Sequence, residues 1–249
     1  MEELNKRIEK LKKILSEAKR IACLTGAGMS TESGVPDFRS STGIYKTLCS
    51  EEVFDIDNFN AHPEEFYKVM APVYAAMLDA EPNEGHKALA RLEKEYGKDI
   101  CIATQNIDLL HQRAGSRNVQ EVHGSMMSLT CKNCGATLPY SAFDKQLRAG
   151  ELLRHNMAGS QCHGVMKPDI VFYGEGLPMD AFQTAENAFM TADVVMVLGT
   201  SLAVYPAAEL PRMRGRNSRL VIINRTETPL DRDADLLFHE NIGDVLKEI

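Results

Sequence analysis

The residues best suited to chemistry begin with the thiols of Cys131-Lys132-Asn133-Cys134-Gly135. Two cysteines with two residues between them turn both sulfurs toward one ion, and zinc needs two further donors to close its tetrahedron. Cys162 supplies a third thiol, but the residue that would complete a second such pair is Gly159. A thiol-redox reading lacks the thioredoxin-like strand-to-helix setting it requires. Cys23 and Cys101 fall inside apolar runs and read as buried, inert thiols, and Cys49 carries no signal.

Other reactive groups follow short apolar runs. Gly26-Ala27-Gly28-Met29-Ser30-Thr31 comes straight after the first. Glycines there let the backbone approach a phosphate whose charge meets the amides of a following helix N-terminus, so a dinucleotide site is suggested. The full fingerprint fails, because its third glycine falls at Thr31 and no ribose-binding acid is evident further on. A tight turn binding nothing is the plain alternative. Gly34-Val35-Pro36-Asp37-Phe38-Arg39 sets a ring beside a guanidinium, suited to excluding water and to a bidentate phosphate contact, with an ordinary loop as the alternative when the motif is taken alone.

Thr104-Gln105-Asn106-Ile107-Asp108 groups amides and a carboxylate where a strand ends. Ligands of open α/β sheets bind at that end; helix capping explains one such residue better than four. His123, at the edge of a short strand over 119–122, adjoins Gly124, which would leave room for substrate, and its imidazole suits a general base near neutral pH. His62, His86, His111 and His239 read as structural.

These groups need elements to hold them. Leu4, Ile8, Leu11, Leu15 and Ala18 recur at helical spacing among Lys and Glu, predicting an opening amphipathic helix. Continuous apolar runs at 21–24, 100–103, 170–173, 194–198 and 220–223, with helical patterns at 85–96 and 180–191, predict a parallel sheet covered on both faces. The fold class is therefore doubly wound α/β. Two stretches depart from that alternation. Residues 40–79, aromatic and interrupted by Pro63 and Pro72, read as loop then helices, and 128–164 is polar with three cysteines. They predict a smaller discontinuous domain of 40–79 and 128–164, carried by a larger one of about 1–39, 80–127 and 165–249.

At 249 residues the chain suits one domain with an insertion, and no apolar run approaches the ~18 residues of a membrane span. The first twenty residues are charged throughout, which predicts a cytoplasmic protein. A net charge of -7 argues against nucleic acid as a partner, and the arginines at 212, 214, 216 and 219 read as a solvated loop.

Taken in order, GAGMS (26–30), GVPDFR (34–39), TQNID (104–108), HG (123–124), the cysteine knuckle, KPDIVFYGE (167–175), GTSLAVYP (199–206) and IIN (222–224) span nearly the whole chain. This set resembles the sirtuins, the NAD-dependent protein deacylases, and STGIY after GVPDFR is similar to the bacterial deacetylase branch. The resemblance implies that Ala27, Thr31, Phe38 and Arg39 contact NAD, that Gln105, Ile107, Asp108 and His123 surround its ribose and nicotinamide, and that Asn106 lies by the reacting ribose carbon. Thr200, Ser201, Asn224 and Ile242 match positions at the phosphate and adenosine end. Gly174, Glu175 and the 203–205 segment, with Val204, match strands that sandwich an extended peptide, and Val171 would line the acyl-lysine tunnel.

The implied reaction consumes NAD, with His123 taking a proton from a ribose hydroxyl, and yields nicotinamide and O-acetyl-ADP-ribose. Acetylated proteins or peptides are the expected partners, and the oligomeric state is left open. Alternatives are protein ADP-ribosylation and a non-catalytic NAD-binding module. Sirtuins usually present two cysteine pairs, so Gly159 marks a departure. Structural zinc held by Cys131, Cys134 and Cys162, with His155 or water as fourth ligand, is expected. His163 adjoins Cys162 and would need a bent knuckle to reach the same ion.

Overall fold

The computed structural model describes residues 2–156 and 162–249; Gly159 lies outside them. In chain order the helices are α1 (Glu2–Glu17), α2 (Ile44–Thr47), α3 (Ile56–Ala61), α4 (Pro63–Asp79), α5 (Glu84–Lys94), α6 (Leu110–Ala114), α7 (Asp144–Ala149), α8 (Met179–Thr191) and α9 (Ile242–Leu246). The strands are β1 (Arg20–Thr25), β2 (Asp99–Thr104), β3 (Val119–Glu121), β4 (Gly124–Cys131), β5 (Thr137–Pro139), β6 (Met166–Ile170), β7 (Val194–Leu198), β8 (Arg219–Ile223) and β9 (Leu236–Phe238).

Six strands form one parallel sheet in the order β3-β2-β1-β7-β8-β9. Each central strand is buried on both faces, and alternate residues serve opposite layers. Ile21, Cys23, Met196 and Val221 pack under α1, α5 and α9, whereas Ala22, Leu24, Val197 and Ile222 pack under α8 through Phe182, Ala185 and Phe189. Burying a side chain of that size contributes ~1.5–3 kcal/mol, so the two apolar layers hold these helices more than helix propensity does. The expected doubly wound α/β core is present. The strand order reverses between β1 and β7, and a crevice opens outside the carboxyl ends of strands at such a point.

A second, three-stranded antiparallel sheet runs β5-β4-β6 and packs with α3, α4 and α7 around Phe59, Phe66, Tyr67, Tyr74 and Phe172. This corrects one sequence expectation, since the run at 170–173 is not a strand of the parallel sheet. The strand is β6, which ends at Ile170 and buries Met166, Pro168 and Ile170 on one side only. Such one-sided alternation is the signature of an antiparallel strand with a single covered face. Pro72 does not interrupt its helix either. α4 continues through it, with Met70, Val73, Tyr74 and Met77 buried around it, a packing gain that offsets the hydrogen bond proline removes. Among the described residues no helix is long and apolar enough to cross a membrane.

Candidate active site and metal centre

No α-helix follows β1. Two 3-10 turns, Ala27–Met29 and Thr31–Ser33, take its place, so the expected helix N-terminus for a phosphate is absent from this loop. The glycines answer to packing instead. A Cβ on Gly26 would lie 2.7 Å from Thr200 Cβ, and one on Gly28 would lie 2.9 Å from Gly199 Cα. The loop after β1 thus interlocks with the loop after β7 at the point where strand order reverses. Asn83 fastens it from a third side. Its Oδ1 caps α5 by accepting from Gly85 and His86 N–H, and its Nδ2 donates to the Met29 carbonyl at 2.8 Å and to Ser33 Oγ at 3.1 Å.

The loop after β2 enters the same crevice. Gln105 Nε2 donates to Thr200 Oγ1 at 3.0 Å, bridging the β2 and β7 loops. Asn106 Nδ2 donates to the Gly26 carbonyl at 3.0 Å and to Ser30 Oγ at 3.1 Å, which leaves its Oδ1 for the cleft. Ser30 in turn donates to Asp108 Oδ2 at 2.6 Å, and the other Asp108 oxygen accepts from Leu110 N–H at 2.9 Å. One buried serine therefore orients both the amide and the carboxylate. Burial pushes the Asp108 carboxyl upward, against the lowering effect of those two hydrogen bonds.

His123 stands in the turn between β3 and β4. Burial holds its pKa below the ordinary imidazole value, a hydrogen bond with the Gln105 backbone opposes that, and Arg39 lowers it further. A lowered pKa enlarges the unprotonated fraction at neutral pH, the form able to accept a proton. The adjoining Gly124 serves strand packing, not room for substrate: at φ +76 a Cβ would meet the Asp169 carbonyl at 2.2 Å. Phe38 sits against Tyr45 and Phe54, and Arg39 donates to Tyr173 Oη at 2.8 Å and to Glu51 at 3.2 Å.

All these groups line one cleft of about 1070 Å3. Ala27, Thr31, Phe38, Arg39, Gln105, Asn106, Ile107, Asp108, His123, Thr200, Ser201, Asn224 and Ile242 are on its wall, as are Val171, Gly174, Glu175 and Val204. Asn224 follows directly on β8, with its Nδ2 tied to Thr226. Neither segment expected to flank a peptide is a strand here: residues 203–205 are irregular, and Tyr173 makes a single bridge with Asp55. The structure adds residues the sequence reading passed over. Ser30 lay inside a quoted motif, yet nothing in its spacing marked the hydroxyl as the link between Asn106 and Asp108. Tyr45 and Tyr173 also line the cleft, and only three-dimensional placement shows it.

At the far end of β4, Cys131, Cys134, Cys162 and His155 bring their donor atoms within 4.8 Å of one another. The Cys131 and Cys162 sulfurs are 3.6 Å apart, and His155 Nδ1 is 3.2 Å from Cys134 Sγ. Zinc–sulfur bonds of ~2.3 Å place tetrahedral sulfurs ~3.8 Å apart, so the donor set fits a closed structural zinc. The Asn133 side-chain amide and the Gly164 backbone N–H hold the Cys162 thiol down to about 6, favouring the thiolate that a metal needs. Of the two expected histidine candidates, His155 is in the cluster and His163 is not.

The family model for the Sir2 family matches residues 26–206. The chain belongs to the Sir2 family. Within it, an NAD-dependent protein deacetylase of Thermotoga maritima is 43% identical over 237 residues, covering 95% of this chain and 94% of that one. A solved Sir2 complex with a deacetylated p53 peptide and 3'-O-acetyl ADP ribose superposes with a TM-score of 0.89 at 41% identity, covering 97% of this Sir2 chain and 96% of the other. A Sir2 complex with p53 peptide and NAD+ gives 0.86 at 40% identity, with 96% and 95% covered.

Proposed function

We propose that this Sir2 chain is an NAD-dependent protein-lysine deacetylase that releases nicotinamide and O-acetyl-ADP-ribose. The observation that carries the reading is the convergence of Asn106, Asp108 and His123 on one cleft at the strand-order reversal. When bound, NAD would supply a ribose carbon made electrophilic by departure of nicotinamide and open to the acetyl oxygen of the substrate lysine.

The chain's own residues divide the work. Ala27, Thr31, Arg39, Gln105, Thr200, Ser201, Asn224 and Ile242 bind the dinucleotide, and Ile107 with Asp108 holds the nicotinamide carboxamide. Asn106, its Nδ2 fixed by Gly26 and Ser30, directs Oδ1 toward the ribose. His123 accepts a ribose hydroxyl proton, a role typically worth ~10²–10⁴-fold. Phe38, braced by Tyr45 and Phe54, keeps water from the reacting carbon. The acetylated peptide lies between the 203–205 segment, where Val204 faces the cleft, and Gly174-Glu175, adding the strand neither side has. Val171 lines the acyl channel.

The proposed small domain comprises about 40–79 and 128–164, and zinc held by Cys131, Cys134, His155 and Cys162 has a structural role there. We place the protein in the cytoplasm, where NAD is available and thiolate ligands stay reduced. Nicotinamide release that requires an acetylated peptide tests the reading. Release that is independent of acetylation, or none at all, overturns it.

A further inference from the structure

We infer that Lys167 is a positioning residue for the acetylated peptide, acting through Glu175. This rests on the deacetylase reading and names a residue none of the roles above includes. Lys167 lies on β6 with only 14% of its side chain exposed, a costly place for an ammonium unless its three protons are met. They are met. Nζ donates to the Ile170 carbonyl at 2.9 Å, to the Pro168 carbonyl at 3.2 Å and to Glu175 Oε2 at 2.9 Å. It also stands 4.6 Å from the centroid of the Phe172 ring.

The same Glu175 oxygen accepts from Phe172 N–H at 2.9 Å. The ion pair therefore closes a loop whose two ends are Lys167 and Glu175, and which carries Val171, Phe172, Tyr173 and Gly174. Two other bonds fix where that loop sits. Val171 N–H donates to the His123 carbonyl at 2.8 Å, and Tyr173 N–H donates to the Phe54 carbonyl at 2.8 Å. The wall presented to the peptide is thus pinned at three places: to the base, to the aromatic core, and to itself through Lys167. Glu175 turns its carboxylate inward to the clamp, so it meets the peptide through its backbone. Loosening the clamp moves the peptide wall most; the NAD wall, built mainly from the loops after β1, β2 and β7, touches this loop through Arg39, which donates to Tyr173 Oη at 2.8 Å.

The test is steady-state kinetics of wild type, Lys167→Met and Glu175→Gln with an acetyl-lysine peptide and NAD, each alongside a thermal melt. Lys167→Met should raise the peptide KM about tenfold, with the NAD KM and kcat within threefold of wild type. Glu175→Gln keeps an acceptor for Phe172 N–H and removes the charge, so about a threefold rise is expected. Should Lys167→Met fail to fold, Lys167→Gln decides by the same split between the two KM values. An unchanged peptide KM in a folded variant overturns the clamp while leaving the deacetylase reading standing, and so does an equal rise in both KM values. A wild type that does not turn over the peptide overturns that reading and the inference together.

Discussion

Acid should destabilise this fold through two histidines with no part in the reaction, His86 on α5 and His111 on α6. Both are buried, their ring centroids are 4.7 Å apart, and neither His86 nitrogen has a hydrogen-bond partner among the described residues. Burial lowers His86 to about 4, and burial together with its neighbour holds His111 well below the ordinary value. A ring whose folded pKa is depressed takes up its proton more readily in the unfolded chain. The associated stability is full above the unfolded value of ~6.5 and drains away as pH falls toward the folded value. For His86 alone, a fall from 6.5 to about 4 converts to ~2 kcal/mol lost between pH 7 and pH 5. In a chain of this size that lowers the melting temperature by ~4–8 °C, and His111 adds in the same direction. Asp108 and Glu121, whose carboxyls burial raises, act with the opposite sign. Comparison with His86→Leu cancels them. Leucine leaves no orphaned partner and removes two unpartnered ring nitrogens, so that variant should melt at or above wild type at pH 7, and its advantage should grow by ~4–8 °C at pH 5. Equal melting temperatures at pH 5, from calorimetry in matched buffers, would refute the reasoning.

Three further outcomes follow from the site. His123→Ala should keep its fold and lose ~10²–10⁴ in kcat; because burial lowers the His123 pKa, the acid limb of wild-type kcat/KM should lie below pH ~6.5, and a midpoint above 7 would exclude this base. Ser30→Ala strips a partner from Asp108 and from Asn106, at ~1.5–3 kcal/mol for a bond to a charged group, so kcat/KM should drop ~10–100-fold; a change under twofold would contradict the shared role. Elemental analysis should find ~1 zinc per chain, absent after Cys131→Ser with Cys134→Ser and reduced in His155→Ala; metal-free wild type of undiminished thermal stability would show the cluster to be unused.

The sequence was most legible where periodicity was strong. β1, β2, β7 and β8 are continuous apolar runs because both their faces are covered, and α1, α5 and α8 carry a clear apolar stripe. β9 escaped notice because three residues hold too little pattern. The run at 170–173 overlaps β6 only at Ile170; an apolar stretch does not reveal which sheet it joins, and here the tertiary partner β4 decides that. The expected site residues line one cleft because their motifs follow strand ends. Their meaning was less legible. The glycines at 26, 28 and 124 are dictated by neighbouring backbone or side chains, contacts far apart in the chain, and Ser30 and Lys167 act through partners 78 and 8 residues away.

The central claim is tested most directly by mass spectrometry of the purified protein with an acetyl-lysine peptide and NAD. The account predicts loss of the acetyl group from the peptide together with equal amounts of nicotinamide and O-acetyl-ADP-ribose, and no change without NAD. A peptide that keeps its acetyl group while a protein gains the mass of ADP-ribose, or NAD left intact throughout, would contradict it.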